Sequence, residues 1–158
     1  LCHWALTLMD PVAPVLDEVR RVLRPGGRFA ALVDGPMDAA PGYAAANDLI
    51  YGHVQAELPG YGEIDLGDPR VRGADSLTAL VRAAFPDATV TVETGVVAMD
   101  GPAETVAEVA AGFFYAAFVL SPARRARMLR ELATLLAART PGAAARFAMP
   151  VNRLLVAL

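Results

Sequence analysis

Few side chains in this sequence combine the types and the spacing that chemistry needs. His3 is one, because an imidazole's ordinary pKa of about 6.5 leaves it neutral near pH 7 and able to accept a proton. A histidine there serves equally well as a structural group, hydrogen-bonded at a strand edge. Its neighbour Cys2 is the single cysteine, so it has no partner for redox work and reads as a small buried hydrophobe. Asp34 opens an Asp34-Gly35-Pro36 turn, where a carboxylate either orients a polar ligand or caps the turn. Tyr43, Asn47 and Tyr51 recur every four residues and share one helical face, which either touches a ligand or packs in a core. His53 lies off that face, which places it in solvent. No metal site is indicated, since His3 and His53 stand fifty residues apart and no cysteine pair exists.

These residues need elements to hold them. Val15, Leu16, Val19, Val22 and Leu23 recur at i, i+1, i+4, i+7 and i+8, the apolar stripe of a helix. Asp10-Pro11 signals its start. Arg20, Arg21 and Arg24 lie in or near its last turn, where cations suit the dipole, and Pro25-Gly26-Gly27 stops it. Phe29 to Val33 is then an unbroken apolar run, the pattern of a strand covered on both faces. Helix, turn and strand make half of a βαβ crossover. Asp34 follows at the carboxyl end of that strand, where open α/β sheets bind ligands.

The run Leu1-Cys2-His3-Trp4-Ala5-Leu6, followed by Glu18-Val19-Arg20-Arg21-Val22-Leu23-Arg24-Pro25-Gly26-Gly27-Arg28-Phe29, resembles class I S-adenosylmethionine-dependent methyltransferases. In that family a fourth strand ends in a His-Ala-Leu-like segment. A helix ending in Arg-Val-Leu-(Arg/Lys)-Pro-Gly-Gly then leads into a fifth strand. The close match covers roughly the first 35 residues, and beyond it only the element order agrees. The resemblance implies a doubly wound, Rossmann-like α/β fold whose mixed sheet has an antiparallel last strand. The sequence holds no Gly-x-Gly-x-Gly loop to cradle the cofactor, and it begins on Leu1 in what reads as a strand end. Residues 1–158 are therefore expected to be the C-terminal part of one methyltransferase domain, lacking its N-terminal cofactor-binding half. Residues 102–140 form a helical enlargement within it that helps enclose the substrate.

The resemblance also assigns roles. Cys2 and His3 align beside the methionine moiety of S-adenosyl-L-methionine, and Trp4 and Leu6 either wall its pocket or pack. His3 is the candidate general base. Asp34, Tyr43, Asn47 and Tyr51 fall where the family places acceptor contacts. Methyl transfer from a sulfonium is an in-line displacement that the cofactor already activates. Positioning therefore supplies most of what the protein adds, up to roughly 7–11 kcal/mol, and a base is needed only for an acceptor that holds its proton tightly.

Further along, Asp75-Ser76 reads as the cap of a helix with Leu77, Leu80, Val81, Ala84 and Phe85 inward. Thr89 to Glu93 alternates as a strand with one exposed face. Val96 to Met99 extends it past a kink at Gly95. A helix after Gly101-Pro102 points Val106, Val109, Ala110, Phe113, Phe114 and Ala117 inward. Another after Ser121-Pro122 buries Met128, Leu129, Leu132, Leu135 and Leu136, turns Arg124, Arg125, Arg127 and Arg130 to solvent, and ends at Thr140-Pro141-Gly142. Asn152 to Leu158 is the final strand. A long polar loop, from Pro59 to Gly73, precedes the Asp75 helix.

Composition bounds the class. A hydrophobic fraction of 55% supports a core, and no apolar run reaches the length of a membrane span. A net charge of −3 with no basic cluster excludes a nucleic-acid partner. The fourteen basic residues are all arginine, which with abundant Ala, Pro and Gly indicates GC-rich codon usage of a bacterial genome. One cysteine fits a reducing cytoplasm. The expected partners are a small-molecule acceptor and, if the fold associates, a second copy in a homodimer. Two other readings remain open at this point: a nucleotide-dependent dehydrogenase-like domain, and a non-catalytic module that keeps the methyltransferase fold.

Overall fold

Pro25-Gly26-Gly27 ends the first helix as its chemistry requires. Helix α1 spans Ala13–Val22, and the Leu23 N–H closes onto the Val19 carbonyl at 3.1 Å. Gly26 then takes φ +73°, a left-handed conformation that glycine adopts without penalty. The Gly27 N–H returns to the Arg24 carbonyl at 2.8 Å, and a side chain at Gly27 would collide with that carbonyl oxygen. The chain emerges aimed into the next strand.

The computed structural model describes residues 1–62, 67–139 and 144–158. The order is β1 (Cys2–His3), α1, β2 (Arg28–Asp34), α2 (Tyr43–Glu57), α3 (Ala74–Ala84), β3 (Thr89–Gly101), α4 (Ala103–Gly112), α5 (Pro122–Ala138) and β4 (Ala145–Ala157). The fold is mixed α/β, with a sheet of order β1-β2-β4-β3 among the described residues. β1 runs parallel to β2, and β4 pairs antiparallel with β2 from Arg28↔Ala157 to Asp34↔Val151. The expected antiparallel last strand is present. None of the described helices is long and apolar enough to cross a membrane.

The chain divides into two compact units. The first comprises Leu1–Ala39, Asp65–Val96 and Pro150–Leu158. Its core joins Val12, at the N-cap of α1, and Leu16 within it with Leu77, Leu80, Val81 and Phe85 from α3 and its end. These pack on Phe29, Ala31 and Val33 of β2 and Leu154 and Val156 of β4. The strand register explains the set, because Phe29 faces Val156 and Ala31 faces Leu154 on one side of the sheet. The opposite side is less covered: Ala30 and Leu32 are only partly buried, and Arg153 and Leu155 are exposed. β2 thus alternates instead of being buried on both faces. Val22 is 59% exposed, at the margin of the α1 stripe.

Three further expectations change in this unit. Helix α3 is capped at Gly73, and the Ser76 hydroxyl donates to the Arg70 and Gly73 carbonyls instead of accepting an amide. β3 continues unbroken through Gly95. β4 begins at Ala145, well before Asn152, and runs through Pro150. The proline is tolerated because Gly35 N–H donates to its carbonyl, so its nitrogen also faces the β2 side, just past the last β2 pair. In the long loop, residues 63–66 lie outside the described residues. The loop also holds Asp68, whose carboxylate accepts from the Arg70 backbone at 3.0 Å and takes the Arg70 guanidinium on both oxygens.

The second unit comprises Ala40–Ile64 and Val97–Met149. Helix α5 packs against both α2 and α4, and its buried residues include Met128, Leu132 and Leu136. Leu129 and Leu135 are partly buried. Val109 is exposed because it lies off the buried Val106, Ala107, Ala110 and Ala111 stripe of α4, and Phe113 because the helix ends at Gly112. Ser121 does cap α5, accepting from the Arg124 N–H. The arginine row is less solvated than its spacing implies. Arg125 pairs with Glu108 at 2.8 Å and Arg127 with Glu131 at 2.8 Å. The helix end expected at Thr140-Pro141-Gly142, and so the last residue of the 102–140 enlargement, lies outside the described residues.

Leu154→Ala removes a fully buried side chain from the central strand and should cost about 2–5 kcal/mol in denaturant unfolding. The Asp68 carboxyl sits below the usual range, held by the Arg70 side chain and then by backbone N–H groups, against burial. A depressed carboxyl stabilises the fold above its unfolded pKa of about 3.9 and loses that contribution as pH falls through the folded value. Thermal unfolding of Asp68→Asn should therefore fall less steeply than wild type below roughly pH 4.

Candidate functional site

The two parallel strands β1 and β2 place their carboxyl ends on one edge of the first unit. Cys2 pairs with Ala31 and His3 with Leu32, and the Trp4 N–H extends the ladder to the Leu32 carbonyl at 2.9 Å. There the chain turns sharply, because Trp4 adopts φ +56°. A non-glycine residue in that region costs on the order of 1–3 kcal/mol and persists only where surrounding contacts enforce it. Two contacts do so. The Thr7 hydroxyl, itself buried, donates to the Trp4 carbonyl at 2.8 Å. The Trp4 indole N–H donates to Asp34 Oδ1 at 2.6 Å.

His3, Trp4 and Asp34 therefore form one group. The His3 ring lies edge-on to the Trp4 ring, with centroids 4.4 Å apart, and is otherwise exposed. Asp34 does more than close its turn. Its carboxylate holds the indole, while the turn is pinned by the Gly35 N–H on the Pro150 carbonyl at 3.0 Å. Cys2 is half-buried with a free thiol and packs against the core. Leu6 is 1% exposed and belongs to the core itself, where packing accounts for it.

The other three singled-out residues belong to the second unit. Tyr43 stacks on Phe114 at 5.9 Å and lies 6.1 Å from Phe147. Tyr51 approaches Tyr61 at 6.4 Å, and Asn47 is partly buried between them in sequence on α2. The fully buried stripe of this helix is Ala46, Ile50 and Val54, one position away.

His53 flanks that stripe and is buried, not solvated. Its Nε2 lies 2.9 Å from Glu131 Oε2, and its Nδ1 has no hydrogen-bond partner among the described residues. Arg127 holds the other Glu131 oxygen at 2.8 Å. The Arg127 hydrogen bond first, and the His53 hydrogen bond second, hold the Glu131 carboxyl below the usual range. Asp48, Gly52, Arg124 and Arg127 join the pair around a surface cleft of about 270 Å³. The signal in the sequence was spacing: His53 falls seven residues after Ala46 and three after Ile50, on the edge of an apolar stripe made inconspicuous by alanine.

No family model and no curated protein matches the sequence. Among solved structures, the chain is similar to a provisionally assigned methyltransferase from Bacillus halodurans, with 10% identity and a TM-score of 0.49. The match covers 99% of this chain, which spans 62% of that structure's length.

Removing one member of a buried polar pair strands the other, whereas replacing the buried group by an apolar one of similar size does not. Glu131→Ala leaves the buried His53 Nε2 without its partner and should therefore lower stability, while His53→Leu should stay within about 1 kcal/mol of wild type. Equilibrium urea unfolding of both variants distinguishes them.

Proposed function

We propose that this chain is part of an S-adenosylmethionine-dependent methyltransferase acting on a small-molecule acceptor. The observation that carries the reading is the Trp4–Asp34 hydrogen bond, which joins the ends of two adjacent parallel strands at a ligand-binding edge. Leading into the second of those strands is the Leu23-Arg24-Pro25-Gly26-Gly27 run that resembles the family. A strained aromatic at the end of β1 fits a wall for a flat, partly apolar cofactor, and strain held by surrounding contacts is common where a site is pre-organised. On this reading Cys2, His3 and Trp4 line the methionine side of the cofactor. Residues 1–158 hold no Gly-x-Gly-x-Gly loop for the rest of it.

Bound S-adenosylmethionine supplies an electrophilic methyl group. The chain's own residues have other tasks. Asp34, partly exposed and a hydrogen-bond acceptor, orients an acceptor hydroxyl or amine from one carboxylate oxygen. The exposed His3 imidazole lies one residue from Trp4 and takes the acceptor's proton where that proton is held tightly.

Calorimetric titration of the full-length protein with S-adenosylmethionine should show saturable binding, and silence at high micromolar cofactor would sink this reading. His3→Ala should weaken cofactor use or turnover while leaving the melting temperature nearly unchanged, because exposed substitutions usually stay within about 0.5 kcal/mol. Unchanged kinetics would return His3 to a structural role.

A further inference from the structure

Asn152 is the most deeply buried polar residue among the described residues, with no exposed surface. It lies on the central strand β4 opposite Val33, on the face that carries Leu154 and Val156. Its Nδ2 donates to two backbone carbonyls, Arg72 at 2.9 Å and Asp34 at 3.3 Å. Carbonyls only accept, so the amide must present its nitrogen to them. Its Oδ1 then faces Thr94, whose hydroxyl donates at 2.8 Å. One side chain thus ties β3, the end of β2 and the turn before α3 together, with every polar atom satisfied.

The Asp34 carbonyl belongs to the residue whose carboxylate holds the Trp4 indole. We propose that Asn152 is a positioning residue, which fixes the Asp34 backbone and so aims the Asp34–Trp4 pair. The inference rests on the methyltransferase reading only for what that pair then binds. An anchored carbonyl fixes the peptide plane that follows Asp34, and with it the direction in which the side chain leaves the strand. The next residue is held as well: a Cβ on Gly35 would lie 2.9 Å from the Val151 nitrogen, so the backbone of β2 approaches β4 as closely as glycine allows. An apolar residue at position 152 would keep the packing but take this donor from the Asp34 carbonyl, leaving that peptide plane to the Gly35 N–H.

The test reads the Trp4 indole Nε1–H resonance by NMR in the ¹⁵N-tryptophan-labelled full-length protein, assigned with Trp4→Phe. Asp34→Ala gives the position of the broken hydrogen bond. Asn152→Ala should move the resonance toward that position. Thr94→Val, which spares Asn152 but removes the donor that orients it, should move it part of the way, and Thr94→Ser should restore it. Val71→Ala, a buried substitution in the same unit, should lower the melting temperature and leave the resonance in place. Should Asn152→Ala fail to fold, Thr94→Val and Thr94→Ser decide the matter alone. Resonances unmoved in the Asn152 and Thr94 variants, with Asp34→Ala shifted, would overturn the proposal. The same samples titrated with S-adenosylmethionine should show affinity weakened about tenfold in Asn152→Ala. A wild-type protein that ignores the cofactor while the resonance still responds to Asn152 would overturn the methyltransferase reading and uphold the positioning role.

Discussion

The pairing of β4 against β2 is the constraint on which the first unit depends. From Arg28↔Ala157 to Asp34↔Val151 it sets which side chains share a face. That register delivers Leu154 and Val156 beside Phe29 and Ala31 to α1 and α3. A slip by one residue would carry Arg153 and Leu155 into the core and Leu154 out of it. The same ladder ends where Gly35 crosses Pro150, so the strand that completes the core also determines where Asp34 stops. Core and candidate site share one alignment.

What the sequence made legible was local. The helix stop at Pro25-Gly26-Gly27, the strand after it and the Ser121 cap depend on near neighbours, and each is present. His3 and Asp34 were each legible as strand-end residues; their grouping with Trp4 at one sheet edge comes from the structure. The hydrogen bond joining Trp4 to Asp34 was not legible, because it needs Trp4 in a left-handed conformation that no propensity favours. Helix α2 offered two stripes, Tyr43-Asn47-Tyr51 and Ala46-Ile50-Val54. Alanine carries so little apolar surface that the larger side chains drew attention to the partly buried face. His53 was misplaced for a different reason: its burial is settled by Glu131, a residue 78 positions later. The first half of β4 was obscured by Pro150, whose tolerance depends on where a partner strand ends.

Electrostatics do little to hold either unit together. Arg20–Asp87, Arg21–Glu18 and Arg146–Asp100 are exposed pairs. Such pairs are worth about 0–1 kcal/mol and fade with salt. The ion pair with structural leverage is Asp68–Arg70, since the carboxylate is buried and its own N–H donates to the Met9 carbonyl at 2.9 Å. It pins the loop before α3 to the segment before α1. Hydrophobic burial then does the rest.

The placement of β4 also bears on the time course of folding. Its residues follow their partners in β2 by more than a hundred positions, as the Arg28↔Ala157 pair shows. Closing a loop of that length comes before any contact rewards it, and proteins dominated by such distant pairings fold slowly. On a ribosome adding about 5–20 residues per second, β2 would wait several seconds for its neighbour. Through that interval the side of β2 reserved for β4 is unpaired and apolar, the kind of edge that recruits other chains. The nascent protein is thus exposed to misassociation until β4 arrives.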